Sequence, residues 1–322
     1  MFRSSIKTES GYTLIETMIS ISLFVIIVMA GMGALVNANF LYDKSHDMRS
    51  VINNLNFALE DMSRSLFIAG FRTVFLVEQQ ILNTKSMVNN FTLVFNQSFF
   101  GGTYNGVLAP VMTGATFGDM VKNMNISANK VNAVVSLTNA SVYATQDDPW
   151  NVKFVLKGRL IVKDNDNLVG WDKEEIVYSY VPIKYFDDPI YIVNSNGLYS
   201  NKMIKTPYFP FVSGNNLANL SLHAQGSYYI NYSGAPSFID RLEGNFTHAD
   251  INGVESLVNV KKLFDLTGES AKTKSIRDFV YFSSSGITPF CRINSPVPDW
   301  VLIDNQSIYN IYGAGGEEFS CV

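Results

Sequence analysis

A run of 26 residues without a charged side chain, Thr17 to Tyr42, constrains this chain more than any other feature. Its first 20 residues read TMISISLFVIIVMAGMGALV, and 15 of them are hydrophobic. About 20 such residues reach across the ~30 Å hydrocarbon core of a bilayer as a helix. A secretory signal core is shorter, about 7–15 residues ahead of a small-residue cleavage site. Small residues at Ala30–Ala34 leave conventional cleavage as an alternative. The pattern predicts one membrane span near the N-terminus. The whole chain of 322 residues is 47% hydrophobic and only 16% charged, which excludes intrinsic disorder. A net charge of −4 gives no general attraction to nucleic acid, and none is expected as a partner. Two cysteines make neither a disulfide scaffold nor a four-thiolate zinc site.

Upstream of the span, MFRSSIKTESG is polar and carries Arg3, Lys7 and Glu9; Tyr12-Thr13-Leu14-Ile15-Glu16 follows Gly11. From the residues alone, Thr13 to Glu16 reads as a capping box that starts the helix. Tyr12 and Glu16 stand four apart and share a helical face. The boundary as a whole resembles the type IV prepilin signature: a short basic leader ending in glycine, an aromatic residue, then T-L-I-E and a long apolar run. That resemblance implies cleavage between Gly11 and Tyr12 by prepilin peptidase, with methylation of the new Tyr12 amine. It also implies that Glu16 pairs with the N-terminal amine of a neighbouring subunit during assembly. Tyrosine stands where phenylalanine is commoner, and keeps the ring.

Past the span, Met48, Ile52, Leu55, Leu59, Met62 and Leu66 fall at alternating spacings of four and three, one stripe on a helix. The stripe predicts packing against the chain's own globular part. No proline precedes Pro110, and Gly70 is a plausible C-cap. The helix is therefore expected to run about 55 residues, ~80–90 Å. Arg64-Ser65-Leu66-Phe67-Ile68-Ala69-Gly70-Phe71 resembles the R-x-x-x-x-A-G-aromatic stretch of PilW-like minor pilins. The resemblance spans residues 1 to about 75. It implies a pilin-like α+β fold, with a long N-terminal helix packed on an antiparallel β-rich head. The expected divisions are a leader over 1–11, a transmembrane half-helix over 12–36, an amphipathic half over 37–70 and a periplasmic head over 71–322.

In the remainder, Val152–Val162, Glu175–Tyr185, Gly226–Tyr232, Arg277–Ser283 and Trp300–Ile303 read as strands. Asp147-Asp148-Pro149 and Asp187-Asp188-Pro189 read as turns leading into strands. Cys291 and Cys321, on the oxidising side of the span, are expected to bridge, with two buried thiols as the alternative. A hairpin around Asp304-Asn305-Gln306 is expected between them.

No catalytic constellation stands out. His46, His223 and His248 show no metal-ligand spacing, and no metal or cofactor is expected. Gly313-Ala314-Gly315-Gly316 lacks the strand and helix of a dinucleotide loop. The run containing Lys261, Lys262, Lys272, Lys274 and Arg277 reads as a solvated face. Asp164, Asp166, Asp172, Glu174 and Glu175 flank a turn that fails the EF-hand pattern at Leu168, leaving a calcium site as the lesser alternative. The resemblance points to a non-enzymatic minor pilin, inserted in the inner membrane and then carried to the pilus. Its partners would be other minor and major pilins, prepilin peptidase and the inner-membrane assembly platform. The alternatives are a J-type pseudopilin of type II secretion and a tip adhesin that binds a surface ligand.

Overall fold

The computed structural model describes residues 10–164, 170–209, 211, 217–268, 274–283, 290–293, 297–307, 311–312 and 319–321. Helix α1 spans Ser10–Thr84, 75 residues, about 110 Å at the usual helical rise. It passes straight through Gly70, where an end was expected. A Cβ on Gly70 would lie 2.5 Å from the Phe154 ring, so this glycine serves close packing and not termination. The helix stops where Lys85 adopts φ 55°, its N–H donating to the Ile81 carbonyl at 2.8 Å.

What extends the helix past Gly70 is continued burial. Val51, Leu55, Ala58, Met62, Leu66, Ala69, Thr73, Val77 and Ile81 form one buried seam at helical spacing. The expected stripe is rotated at its start: Met48 and Ile52 face outward, whereas Leu55, Met62 and Leu66 are buried as anticipated.

The seam is covered by helix α2 (Phe91–Gly101), helix α3 (Phe117–Asn129) and a three-stranded antiparallel sheet. A two-stranded ribbon, β1 (Thr103–Tyr104) with β2 (Val107–Leu108), joins the two helices. Asn90 caps α2 by accepting from Leu93 N, and Thr116 with Asp119 makes a reciprocal capping box on α3. The sheet has order β3-β4-β5, with β3 at Ala133–Asp148, β4 at Asn151–Asp164 and β5 at Gly170–Pro182. Alternation on β4 and β5 sends Phe154, Leu156, Leu160, Val162, Val177 and Val181 into the core. Phe154 lies edge-on to Phe95 at 4.6 Å. Thr73, inside this core, shares a 2.7 Å hydrogen bond with Ser98 and so leaves no unpaired hydroxyl.

A second hydrophobic cluster lies C-terminal to the sheet, built from residues between Ile190 and Tyr312. Its elements are short: α4 (Pro189–Asn194), α5 (Leu217–Gly226), β6 (Tyr229–Asn231), α6 (Phe238–Glu243), β7 (Val254–Ser256), α7 (Val260–Thr267), α8 (Asp278–Ser283), β8 (Cys291–Ile293), β9 (Leu302–Ile303), α9 (Asn305–Ser307) and β10 (Phe319–Cys321). Three expectations change here. Residues 278–283 form a helix, with Phe279 N donating to the Asp278 side chain at 2.7 Å. Asp188 caps helix α4, with Pro189 as its first residue, so Asp187-Asp188-Pro189 does not lead into a strand. Asn305–Ser307 is a helical turn, and β9 pairs with β8 instead of forming the expected hairpin. Elsewhere β4 and β6 fall within or around their expected segments, while β3, α2 and α3 were not anticipated.

The close approach at Gly70 sets a test. Gly70→Ala is expected to destabilise the folded head by ~1–3 kcal/mol through overpacking against Phe154, read from chemical denaturation in detergent. An unchanged midpoint would show that the ring yields freely.

Candidate membrane and assembly surface

The N-terminal half of α1 has no cover among the described residues. From Glu16 to Phe40 every residue is exposed. Phe24 is 68% exposed and Met29 69%, values that in water would mark a severe apolar liability. This stretch is long and apolar enough to cross a membrane. The first burial comes at Val51. The uncovered part from Glu16 to Ser50 measures on the order of 50 Å, longer than the bilayer core.

Gly11 and Tyr12 lie in the first turns of α1, and their side chains fall outside the described structure, as does the segment before Ser10. Glu16 is exposed at the lower end of the apolar surface. No cationic side chain follows it before Lys44, so an ionic partner for it must come from outside this apolar stretch. Apolar exposure continues past the first charges at Met48, Ile52 and Phe57. Phe57 borders a shallow groove against α3, lined also by Ala58, Met124, Ala128 and Val131.

At the other end of α1, Glu78 fastens the helix to the segment after β5. It accepts from Asp187 N at 2.7 Å and lies 3.8 Å from Lys202 Nζ. Burial raises its carboxyl to about 7, against the pull of the backbone hydrogen bond and of Lys202.

Cys291 and Cys321 form a disulfide. They are direct cross-strand partners of β8 and β10, so the bridge closes the C-terminal strand onto a sheet of order β10-β8-β9. The same part of the chain holds a buried charge network that the sequence did not announce. Arg241 is fully buried and lies between Asp188 and Asp278, with Nη1 2.9 Å from Asp278 Oδ2. Its Nη2 also donates to the Val254 carbonyl. Tyr229 Oη donates to Asp188 at 2.7 Å, and Ser256 donates to Asp278 from both N and Oγ. Next to this, Arg277 donates to Glu255 at 2.7 Å and to Asp304 at 3.3 Å, and Tyr312 Oη caps the other Glu255 oxygen. Every one of these charges has a partner, the condition under which burial is tolerated.

Other residues singled out in the sequence are scattered or differently placed. Arg277 and Lys274 are buried, so the basic run is not a solvated face along its length; Lys272 lies outside the described residues. Asp172 pairs with Arg159 at 2.6 Å and Glu174 with Lys157 at 3.3 Å, on the exposed sheet surface. Asp166 and the 313–316 glycine-rich segment lie outside the described residues. His46 is exposed on α1. His248 is brought beside Asp240 and Asp250, a grouping that the sequence reading passed over. No family model, curated protein or solved structure matches the chain.

His223 is fully buried on α5, with its ring 4.6 Å from that of Phe211 and, among the described residues, no hydrogen-bond partner for either nitrogen. Burial lowers its pKa to about 3. The unfolded chain takes up a proton near pH 6.5, whereas the folded chain refuses it until about pH 3. Stability from this residue is thus complete above about pH 6.5 and falls by ~1.4 kcal/mol per unit below it. Groups common to both proteins cancel in a comparison with His223→Leu. Between pH 7 and pH 4.5 the wild type is expected to lose ~2–3 kcal/mol more than the variant in denaturation experiments; parallel losses would contradict a neutral buried ring.

Proposed function

We propose that this chain is a PilW-like minor pilin of a type IV pilus, inserted in the inner membrane as a precursor and drawn into the filament by its N-terminal helix. The observation that carries this reading is the uncovered apolar half of α1, continuous with Gly11-Tyr12-Thr13-Leu14-Ile15-Glu16 at one end and rooted in the head at the other. An exposed apolar helix needs hydrocarbon or other apolar helices around it. A bilayer supplies the first before assembly, and the packed helices of neighbouring pilins supply the second afterwards. Prepilin peptidase would cut between Gly11 and Tyr12 at the cytoplasmic face, leaving the Tyr12 amine free for methylation. Glu16 would then meet the amine of an adjacent subunit, a charge pairing worth most where water is excluded. The head, too bulky to repeat easily along a regular shaft, suits a tip or priming position.

A second reading, that the head also adheres to a surface ligand, draws on the outer face of the sheet. Tyr143, Tyr178 and Tyr180 are each more than two-fifths exposed there, and Lys153 Nζ lies 5.1 Å from the Tyr178 ring centre. Such a face offers stacking and cationic contacts together. A J-type pseudopilin would use α1 in the same way in a different machine.

Glu16→Ala separates insertion from assembly. The variant is expected in the membrane fraction at the wild-type level and absent from sheared pili. Incorporation equal to wild type would reduce Glu16 to a helix cap.

A further inference from the structure

We propose that Asp240, His248 and Asp250 form a binding site for a zinc-class divalent cation. One ligand atom from each residue lies within 4.8 Å of the other two. His248 Nδ1 is 3.0 Å from Asp240 Oδ1. Zinc takes nitrogen and carboxylate oxygen at ~2.0–2.2 Å, which places neighbouring ligand atoms about 3–3.5 Å apart. Two of the three donors already stand at that separation. The third closes in by side-chain rotation.

The donor set selects the class of ion. One imidazole with two carboxylates suits zinc and its first-row neighbours, whereas calcium prefers six to eight oxygens. The three side chains come from two pieces of backbone, helix α6 and the loop that follows it. That loop is fixed before any ion arrives. Asp250 N donates to the Ala235 carbonyl at 3.0 Å, and Gly253 N donates back to Asp250 O at 2.9 Å. Gly253 lies so close to the Ala235 carbonyl that a Cβ would sit 2.0 Å from its oxygen, so no other residue fits the turn.

The oxygens around the site are oriented as well. Asp240 Oδ2 accepts from Ser237 N at 3.0 Å and Oγ at 2.6 Å, which turns Oδ1 toward His248. Asp250 Oδ1 accepts from Asn252 N at 2.7 Å. Supporting hydrogen bonds of this kind orient metal ligands and tune their affinity. His248 is 59% exposed, which gives an ion a path in and leaves coordination positions for water.

The site would tie down a junction. Asn252 Nδ2 donates to the Gln146 carbonyl at 2.9 Å, and Gln146 Oε1 accepts from Phe238 N, the first residue of α6. A bound ion would therefore brace the loop, α6 and the β3–β4 hairpin together, one residue from buried Arg241. This holds whether or not the chain assembles into a pilus.

The test is titration of the untagged full-length chain in detergent with zinc chloride, followed calorimetrically, with calcium chloride in parallel. One zinc per chain is expected, bound more tightly than calcium, with a rise in Tm on zinc addition. Asp250→Asn is expected to weaken binding at least about tenfold and His248→Gln about 100-fold, both abolishing most of the Tm rise. The Tm of each variant in EDTA, matched to wild type in EDTA, establishes that its fold is intact. Absence of saturable zinc binding, calcium bound as tightly as zinc, or unweakened binding in either folded variant would overturn the site and leave the 3.0 Å contact as a hydrogen bond only.

Discussion

The apolar first half of α1 is left uncovered among the described residues, and the rest of the structure is built on the half that follows. From Glu16 to Ser50 no residue of α1 is fully buried. From Val51 onward it is the central element of the main core, with α2, α3 and the β3-β4-β5 sheet laid along it. One continuous element thus has an uncovered apolar part and a packed part. The change between them falls over the charged residues Asp43, Lys44, Asp47 and Arg49. The helical backbone is unbroken across this boundary, and no proline interrupts it.

The head answers a different problem, how to join two hydrophobic clusters built at very different scales. The first has strands of 13 to 16 residues; the second has strands of two or three residues and helices of at most ten. Short elements bury too little to fix their own arrangement, and polar groups take over that task. Arg241 receives Asp188 from α4 and Asp278 from α8, while its neighbours Phe238 and Leu242 belong to the first cluster. Removing one member would leave a charge buried without its partner, a loss of ~3–5 kcal/mol. The disulfide completes the far side by holding β10 on β8.

The long helix, its apolar first part and the cysteine pair were legible in the sequence, because each is written in local spacing or in simple counting. The end of α1 was not. Gly70 reads as a cap in one dimension, and only the fold brings Phe154 against it. Residues 278–283, DFVYFS, carry strand-like side chains, yet Asp278 pairs with buried Arg241 and accepts from Phe279 N in the first turn of the helix, so tertiary bonds override propensity. Helices α2 and α3 escaped notice although Asn90 and Thr116 are ordinary capping residues followed by apolar runs. Asp188 ahead of Pro189 was a helix-start signal taken for a turn. Gly11, Tyr12 and Glu16 stand out by their offsets to the apolar run, and the roles proposed for them rest on that pattern. The His248 grouping was missed because its third member, Asp240, is contributed by a helix eight residues upstream, at no recognised metal-ligand spacing.

The central claim is that the chain is trimmed at Gly11 and works through the helix that remains. Mass spectrometry of the mature protein recovered from membranes tests this most directly. A chain beginning at Tyr12 and bearing one extra methyl group is the result the account requires. An intact Met1, or a cut after Ala30 that discards Glu16 and half the span, would contradict it.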